Sequence, residues 1–228
     1  MRVPLRSCRL TVPMPWLRTG VALAAALAMA AGSESAGSAE DRTRRLVIVV
    51  DSEDDPRLAL TREAIAFWNR TLDEVGVDLE VRQVELVVTS TEARAIETFA
   101  RFVSQRGGRM PKGTNGPTPP EALAGLDGDV VMLLSRQQLL PFAWPLLGTP
   151  DYFVAIRQLE RRRPGDERVL RNVIAHELGH TLGLSHHRTS FTLMCAPCSS
   201  VAAADEALEW LPLTELDRTR LRERYARE

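Results

Sequence analysis

The sequence contains little that would bind a polyanion. Its 228 residues include 29 Lys+Arg against 30 Asp+Glu, so no basic excess attracts nucleic acid or an anionic membrane surface. Histidine and cysteine are also scarce, with four and three residues. The remaining composition, 44% hydrophobic and 26% charged, excludes collagen, a coiled coil and wholesale disorder. We therefore expect one globular domain, or two small ones, without a nucleic-acid partner; the composition does not indicate an oligomeric state.

The amino terminus lacks an apolar run long enough for a bilayer span. Residues 1–18 carry four arginines and no acidic residue, and an eleven-residue apolar run follows at 21–31. A span needs about 20 apolar residues, whereas this layout is typical of a signal peptide. We predict that residues 1–39 are a signal peptide and linker, with cleavage near residue 30 or 39. The protein is then exported, secreted or periplasmic, with no stable membrane partner unless the leader is retained as an anchor.

Apolar strands and amphipathic helices alternate in the rest of the chain, which predicts an α/β fold: a twisted mixed β-sheet with packed helices. The predicted strands are 46–50, 77–88, 129–134 and 152–157. Helices are predicted from Asp55-Pro56 to 74, and to 105 from a capping box of Thr89 and Glu92. Residues 106–128 hold six glycines and four prolines and are predicted to be a long loop. Prolines interrupt the segment 137–150, which suits a sheet edge.

A further helix carries the residues with the clearest chemistry. Asp166 is predicted to cap it, and an apolar stripe continues to Leu182. His176, Glu177 and His180 on this helix form an H-E-x-x-H pattern. Residues four apart on a helix differ by about 40° around the axis, so both imidazoles leave the same face and can share one cation. Glu177, one position along, is placed to reach a metal-bound water rather than the metal.

His186 is the next candidate ligand. It lies six residues after His180, which is about 240° around a continued helix, so it can join the other two histidines only if the helix ends. Gly183 supplies that end, because glycine enters the left-handed conformation that terminates helices at little steric cost.

The complete pattern over residues 176–186, H-E-x-x-H-x-x-G-x-x-H, resembles the metzincin clan of zinc endopeptidases. Eight residues after His186 comes Met194, and Leu193-Met194 is similar to the methionine-containing turn of matrixins. The specific resemblance covers residues 166–197. It implies a zincin-like catalytic domain at 40–228, with an upper part 40–183 that contains the active-site helix. A small C-terminal subdomain, the lower part 184–228, follows the glycine turn.

The resemblance also implies a reaction. His176, His180 and His186 would hold one catalytic Zn²⁺ and leave a fourth position for water, whose pKa falls to about 7. Glu177 would act as general base, with Gly183 and Met194 in supporting roles. The substrate would be a polypeptide, paired with an edge strand at 152–157 or the segment before it. The alternative is a secreted zinc-binding module that holds a peptide without catalysis.

Three features depart from the matrixin pattern or lie outside it. His187 stands where matrixins usually have serine, and we interpret it as a surface or outer-shell residue rather than a ligand. No histidine lies outside the cluster at 176–187, so a second zinc like that of animal matrixins is not expected. Cys195 and Cys198 would remain after the leader is removed, and we predict a disulfide between them in an oxidising compartment. Free thiols, or a second metal site with His187, are the alternatives.

Overall fold

The computed structural model describes residues 43–88, 93–106, 117–146, 150–158, 165–196 and 208–226. The strands within these ranges are β1 (Thr43–Val50), β2 (Glu80–Val88), β3 (Val130–Leu134), β4 (Phe142–Pro145) and β5 (Tyr152–Ile156). The helices are α1 (Arg57–Glu74), α2 (Ala93–Gln105), α3 (Glu121–Ala124), α4 (Asp166–Thr181) and α5 (Glu215–Tyr225). None of the helices in the described part is long and apolar enough to cross a membrane.

The five strands form one mixed sheet in the order β2-β1-β3-β5-β4. β1 pairs in parallel with β2 and β3, β3 pairs in parallel with β5, and β4 pairs antiparallel with β5. The predicted α/β fold class, with a mixed sheet and packed helices, is confirmed. Because β4 is last in the order, it forms a sheet edge, so of the two predicted candidates, 152–157 and the segment before it, the structure has the second at the edge. β5 is interior because β4 folds back against it, so the segment before it provides the edge.

Helices cover both faces of the sheet, which explains why β3, β5 and residues 46–50 of β1 are continuously apolar. Ile48 and Met132 point into a core shared with α1 and α4, while their neighbours Val47 and Val131 point into a second core shared with α2 and α3. α1 and α4 therefore lie on the same face. Chain segments after Gly183 join this first core through the buried leucines Leu184, Leu193, Leu211, Leu213 and Leu221. The boundary between an upper part 40–183 and a lower part 184–228 stays a prediction.

Several predicted boundaries differ from the structure. The second strand begins at Glu80 rather than at residue 77, because Gly76, with a φ of 74°, turns the chain after α1. The predicted loop 106–128 contains the short helix α3, which Leu123 anchors in the second core. Thr89 and Glu92, the predicted capping box of α2, lie outside the described residues.

The start of α4 also differs from the prediction. Gly165, with a φ of 90°, occupies the N-cap position, and no side chain caps the helix. Asp166 is therefore not the cap. It is the first helical residue, where its carboxylate faces the positive end of the helix dipole together with Glu167. The entry through a left-handed glycine replaces the side-chain cap that the sequence suggested.

Candidate metal centre

Three histidine rings meet where α4 ends. Nε2 of His176 lies 3.2 Å from Nε2 of His180, and Nε2 of His186 lies 3.0 Å from each of them. A tetrahedral zinc ion at about 2.0–2.1 Å from each nitrogen would separate its ligands by about 3.3–3.4 Å. The structure thus brings the three predicted ligands together at nearly the spacing that a single zinc ion requires.

Backbone carbonyls orient two of the rings. Nδ1 of His176 lies 2.6 Å from the Leu193 oxygen, and Nδ1 of His180 lies 2.8 Å from the Leu184 oxygen. A carbonyl oxygen can only accept, so each Nδ1 donates and each neutral ring presents a bare lone pair at Nε2. Two lone pairs therefore face each other without a proton between them. A shared cation relieves this repulsion, so the donor set fits a metal ion.

The helix ends in a way that delivers the third histidine. Gly183 has a φ of 90°, its N–H donates to the His180 oxygen at 3.0 Å, and the Leu184 N–H donates to the Gly179 oxygen at 3.0 Å. These two bonds form a Schellman motif, which reverses the chain direction after the helix. The same turn supplies the Leu184 carbonyl that orients the His180 ring. Gly183 lies where the sequence predicted the helix to stop.

A methionine packs directly beneath the helical ligands. Met194 is fully buried, and its neighbour Leu193 provides the carbonyl that holds His176. A Cβ added at Gly179 would lie 2.7 Å from Met194 Sδ and 2.9 Å from Cζ2 of the buried Trp68. Gly179 therefore lets both side chains reach the helix backbone between the two ligands. Trp68 also donates from Nε1 to the Ala175 oxygen at 2.8 Å.

Glu177 lies buried against the edge strand. The backbone of Ala143 in β4 hydrogen-bonds to its carboxyl group. Burial raises the pKa of Glu177 to about 8 in the metal-free chain, and the Ala143 bond acts in the opposite direction. A carboxyl with a strongly raised pKa inside a cleft is a candidate proton-transfer group.

Burial also keeps the histidines neutral. It lowers the pKa of His176 to about 4, against the Leu193 hydrogen bond, with smaller contributions from the neighbouring histidines. Burial likewise lowers the pKa values of His180 and His186. Neutral imidazole is the form that binds a metal, so the triad is prepared for a cation at neutral pH.

A cleft of about 370 Å³ contains the triad and Glu177. The edge strand β4 and the residues before it form one side, and α4 forms the other. Most of the lining is apolar; the residues besides the ligands and Glu177 are Leu140, Pro141, Phe142, Ala143, Asn172, Val173, Leu193, Cys195, Ala196 and Leu211. The edge of the sheet therefore borders the metal centre.

His187 lies outside the triad. Its Nε2 is 3.0 Å from the Asp217 carboxylate, which is fully buried and also accepts hydrogen bonds from Thr214 at the start of α5. Its backbone N–H donates to the Met194 oxygen at 3.0 Å. His187 thus connects the segment around Met194 to α5.

Cys195 lines the cleft and is disulfide-bonded. Cys198 lies outside the described residues, so the pairing of these two cysteines stays a prediction.

Two residues of the site were not identified from the sequence. Gly179 stands between the two helical histidines, but its role depends on contacts with residues far away along the chain. Asn172 is a buried polar residue on the otherwise apolar side of α4, and it also lines the cleft. An asparagine at such a position is the signal that indicates a specific hydrogen-bond partner.

Comparisons with known proteins give structural likenesses alone. No protein-family model matches the sequence, and no curated protein matches it. Archaemetzincin from Methanopyrus kandleri is 18% identical with a TM-score of 0.46, covering 82% of this chain and 97% of its own. A zinc-dependent peptidase from Methanocorpusculum labreanum is 17% identical with a TM-score of 0.43, covering 77% and 99%. A chain of a chaperone-substrate complex is 14% identical with a TM-score of 0.42, covering 75% and 29%. At these scores, the case for function rests on the chain's own residues.

Proposed function

We propose that the chain is an exported zinc-dependent endopeptidase of metzincin type. The observation that carries this proposal is the convergence of three Nε2 atoms within 3.0–3.2 Å of one another in the cleft that contains the buried carboxyl of Glu177. A purely structural zinc site has no need of an adjacent base. The matrixin-like placement rests on Leu193-Met194, and export rests on residues 1–39.

The residues divide the chemistry between holding a metal and moving a proton. His176, His180 and His186 would hold the ion; a bound zinc supplies Lewis-acid chemistry, polarising a peptide carbonyl and making water more acidic. Glu177 takes a proton from the attacking water at its carboxylate and passes it to the nitrogen of the leaving amine. The Ala143 hydrogen bond holds the Glu177 carboxyl against β4 while it does so.

The substrate is a polypeptide in extended conformation. β4 is an edge strand of the sheet and borders the cleft, so an extended peptide would lie across the histidines and pair with backbone groups of β4 other than the Ala143 group that bonds Glu177. The apolar lining from Leu140, Val173 and Leu211 favours an apolar substrate side chain at that point. The edge strand therefore aligns the peptide, and the lining selects among side chains.

A cleavage assay separates this function from the alternative, a zinc-binding module that holds peptides without turnover. The zinc-loaded protein is incubated with an unfolded protein substrate, then with a chelator, and then with added zinc. We expect hydrolysis that the chelator abolishes and zinc restores. A protein that binds one zinc ion and the peptide but yields no fragments would favour the binding module.

A further inference from the structure

Asn172 connects the metal-bearing helix to one wall of the cleft. The wall segment, residues 209–212, lies beside α4. The Asn172 Oδ1 accepts from the Leu211 N–H at 2.8 Å, and its Nδ2 donates to the Glu209 oxygen at 3.1 Å and to the Arg168 oxygen at 3.0 Å. The amide thus pairs with the backbone on either side of Trp210, as a neighbouring strand would.

The position of this contact relates it to the chemistry. Asn172 lies four residues, about one helical turn, before His176, and both Asn172 and Leu211 line the cleft. Asn172 is 2% exposed and Leu211 is 4% exposed. If the amide were removed, water could not replace it as the partner of the Leu211 N–H without entering the core. A buried amide therefore connects the wall to the helix that carries His176 and His180.

Other contacts also hold the wall segment, and they involve α1, the turn beneath the histidines and the exposed side of α4. The Trp210 ring stacks on Phe67 of α1 at 4.6 Å. The Leu193 N–H donates to the Pro212 oxygen at 2.9 Å, which connects the wall to the turn beneath the histidines. Arg171 forms an ion pair with Glu209 at 2.9 Å, at the exposed rim. An ion pair whose carboxylate is largely exposed contributes little, so the buried amide is the stronger polar connection between this segment and α4.

We propose that Asn172 is a positioning residue that sets the width of the cleft at Leu211 and thereby selects the size of the apolar substrate side chain accepted beside the metal. This inference rests on the proposed function, because it names what the same cleft selects. Asn172 does not touch the reacting atoms. Its loss moves the wall, which alters discrimination between side chains more than it alters the chemical step.

The chain provides a matched control. Asn69 on α1 makes the same paired contact with a backbone, since its Nδ2 donates to the Val81 oxygen at 3.0 Å and its Oδ1 accepts from the Val81 N–H at 2.8 Å. Val81 belongs to β2, at the opposite edge of the sheet from the cleft. Asn172→Leu and Asn69→Leu each remove one such pair, so a general loss of stability affects both variants.

The test uses two peptide hydroxamates that differ in one side chain, isobutyl or methyl, next to the metal-binding group. Calorimetry on the zinc-loaded protein gives the ratio of their dissociation constants. We expect Asn172→Leu to change that ratio about tenfold and Asn69→Leu to leave it within about twofold. Hydrogen exchange of residues 208–213 in the metal-free chain should lose protection in Asn172→Leu and not in Asn69→Leu.

An unchanged ratio of dissociation constants in Asn172→Leu, or unchanged exchange protection of residues 208–213, overturns the inference. Peptide cleavage by the parent protein would still support the proposed function. A parent protein that binds both hydroxamates with unequal affinity but cleaves nothing overturns the proposed reaction and leaves Asn172 to be judged by the ratio. A parent protein that binds neither hydroxamate overturns both.

Discussion

Gly179 and Met194 are in such close contact that a Cβ at Gly179 would lie 2.7 Å from the Met194 sulfur. Gly179 is on α4 between the two helical ligands, and Met194 is on the turn whose Leu193 carbonyl orients His176. The absence of one side chain therefore brings the turn into contact with the metal-bearing helix. Trp68 lies 2.9 Å from the same Cβ position, so a side chain at residue 179 would meet both Met194 and Trp68.

We expect Gly179→Ala to weaken both the fold and metal binding. Alanine favours a helix over glycine by about 1 kcal/mol, but the overpacking against Met194 and Trp68 costs about 1–3 kcal/mol and shifts the turn that holds His176. Zinc affinity, measured with a competing chelator, should fall at least about tenfold. Gly125→Ala is the control, because its Cβ would meet nothing closer than the Glu121 oxygen at 3.4 Å. Equal zinc affinity in the two variants would refute the packing role of Gly179.

Gly183 and Gly165 both have a φ of 90°. Comparing their alanine variants therefore separates the effect of backbone strain from the effect of local contacts. Alanine is strained by about 1–2 kcal/mol in the left-handed region at either position. At Gly183 the new Cβ would also lie 2.6 Å from Arg224 Cδ, whereas at Gly165 nothing lies within 4 Å. Thermal unfolding should show a loss in both variants, but zinc affinity should fall in Gly183→Ala alone, since that turn delivers His186. A similar loss of zinc in Gly165→Ala would contradict this assignment.

Two adjacent histidines provide a further comparison. His186 belongs to the triad, whereas His187 contacts Asp217. We expect His186→Ala to lose stoichiometric zinc under conditions in which His187→Ala still binds one ion, although His187→Ala should unfold at a lower temperature. Zinc content after gel filtration measures the first effect, and calorimetry measures the second. Retention of one zinc ion by His186→Ala would exclude it from the ligand set.

The metal-free protein should lose stability as the pH falls. His176 has a pKa of about 4 when folded and 6.5 as a free side chain, so its stabilising contribution is complete above about pH 6.5 and is lost as the pH falls towards 4. The unfolded chain takes up the proton in this window, at roughly 1 kcal/mol per pH unit. Thermal unfolding at pH 7.5 and pH 5 should therefore differ more in the parent than in His176→Asn. Protons compete with zinc for the same nitrogens, so bound zinc should also be released on acidification. An unchanged difference in His176→Asn would be inconsistent with a buried neutral ring.

The sequence predicted those parts of the site that helical periodicity determines. A spacing of four placed His176 and His180 on one face, and the glycine after them indicated that the helix would end. The sequence did not predict the start of α4. Gly165 and Asp166 are both acceptable N-cap residues, and the local sequence does not decide between them. Nor did it predict α3, whose buried Leu123 makes a short helix stable inside a glycine-rich segment.

Long-range contacts determine the remainder of the site. Gly179 matters because Trp68 and Met194 reach it, and Asn172 matters because Leu211, 39 residues later, donates to it. No local spacing encodes such pairs. The order of the strands was also open, since a proline-rich segment suits an edge but does not specify its neighbour. Because β4 pairs antiparallel with β5 at the end of the sheet, that edge lies beside Glu177.

The central claim is that Glu177 transfers protons at a zinc centre held by three histidines. The most direct measurement is the zinc content and peptide hydrolysis of Glu177→Gln, which keeps the shape of the side chain beside Ala143 and removes the base. We expect one zinc ion per chain, as in the parent, and a fall in kcat of at least about 100-fold. Hydrolysis at the parent rate by the zinc-loaded variant would contradict the account.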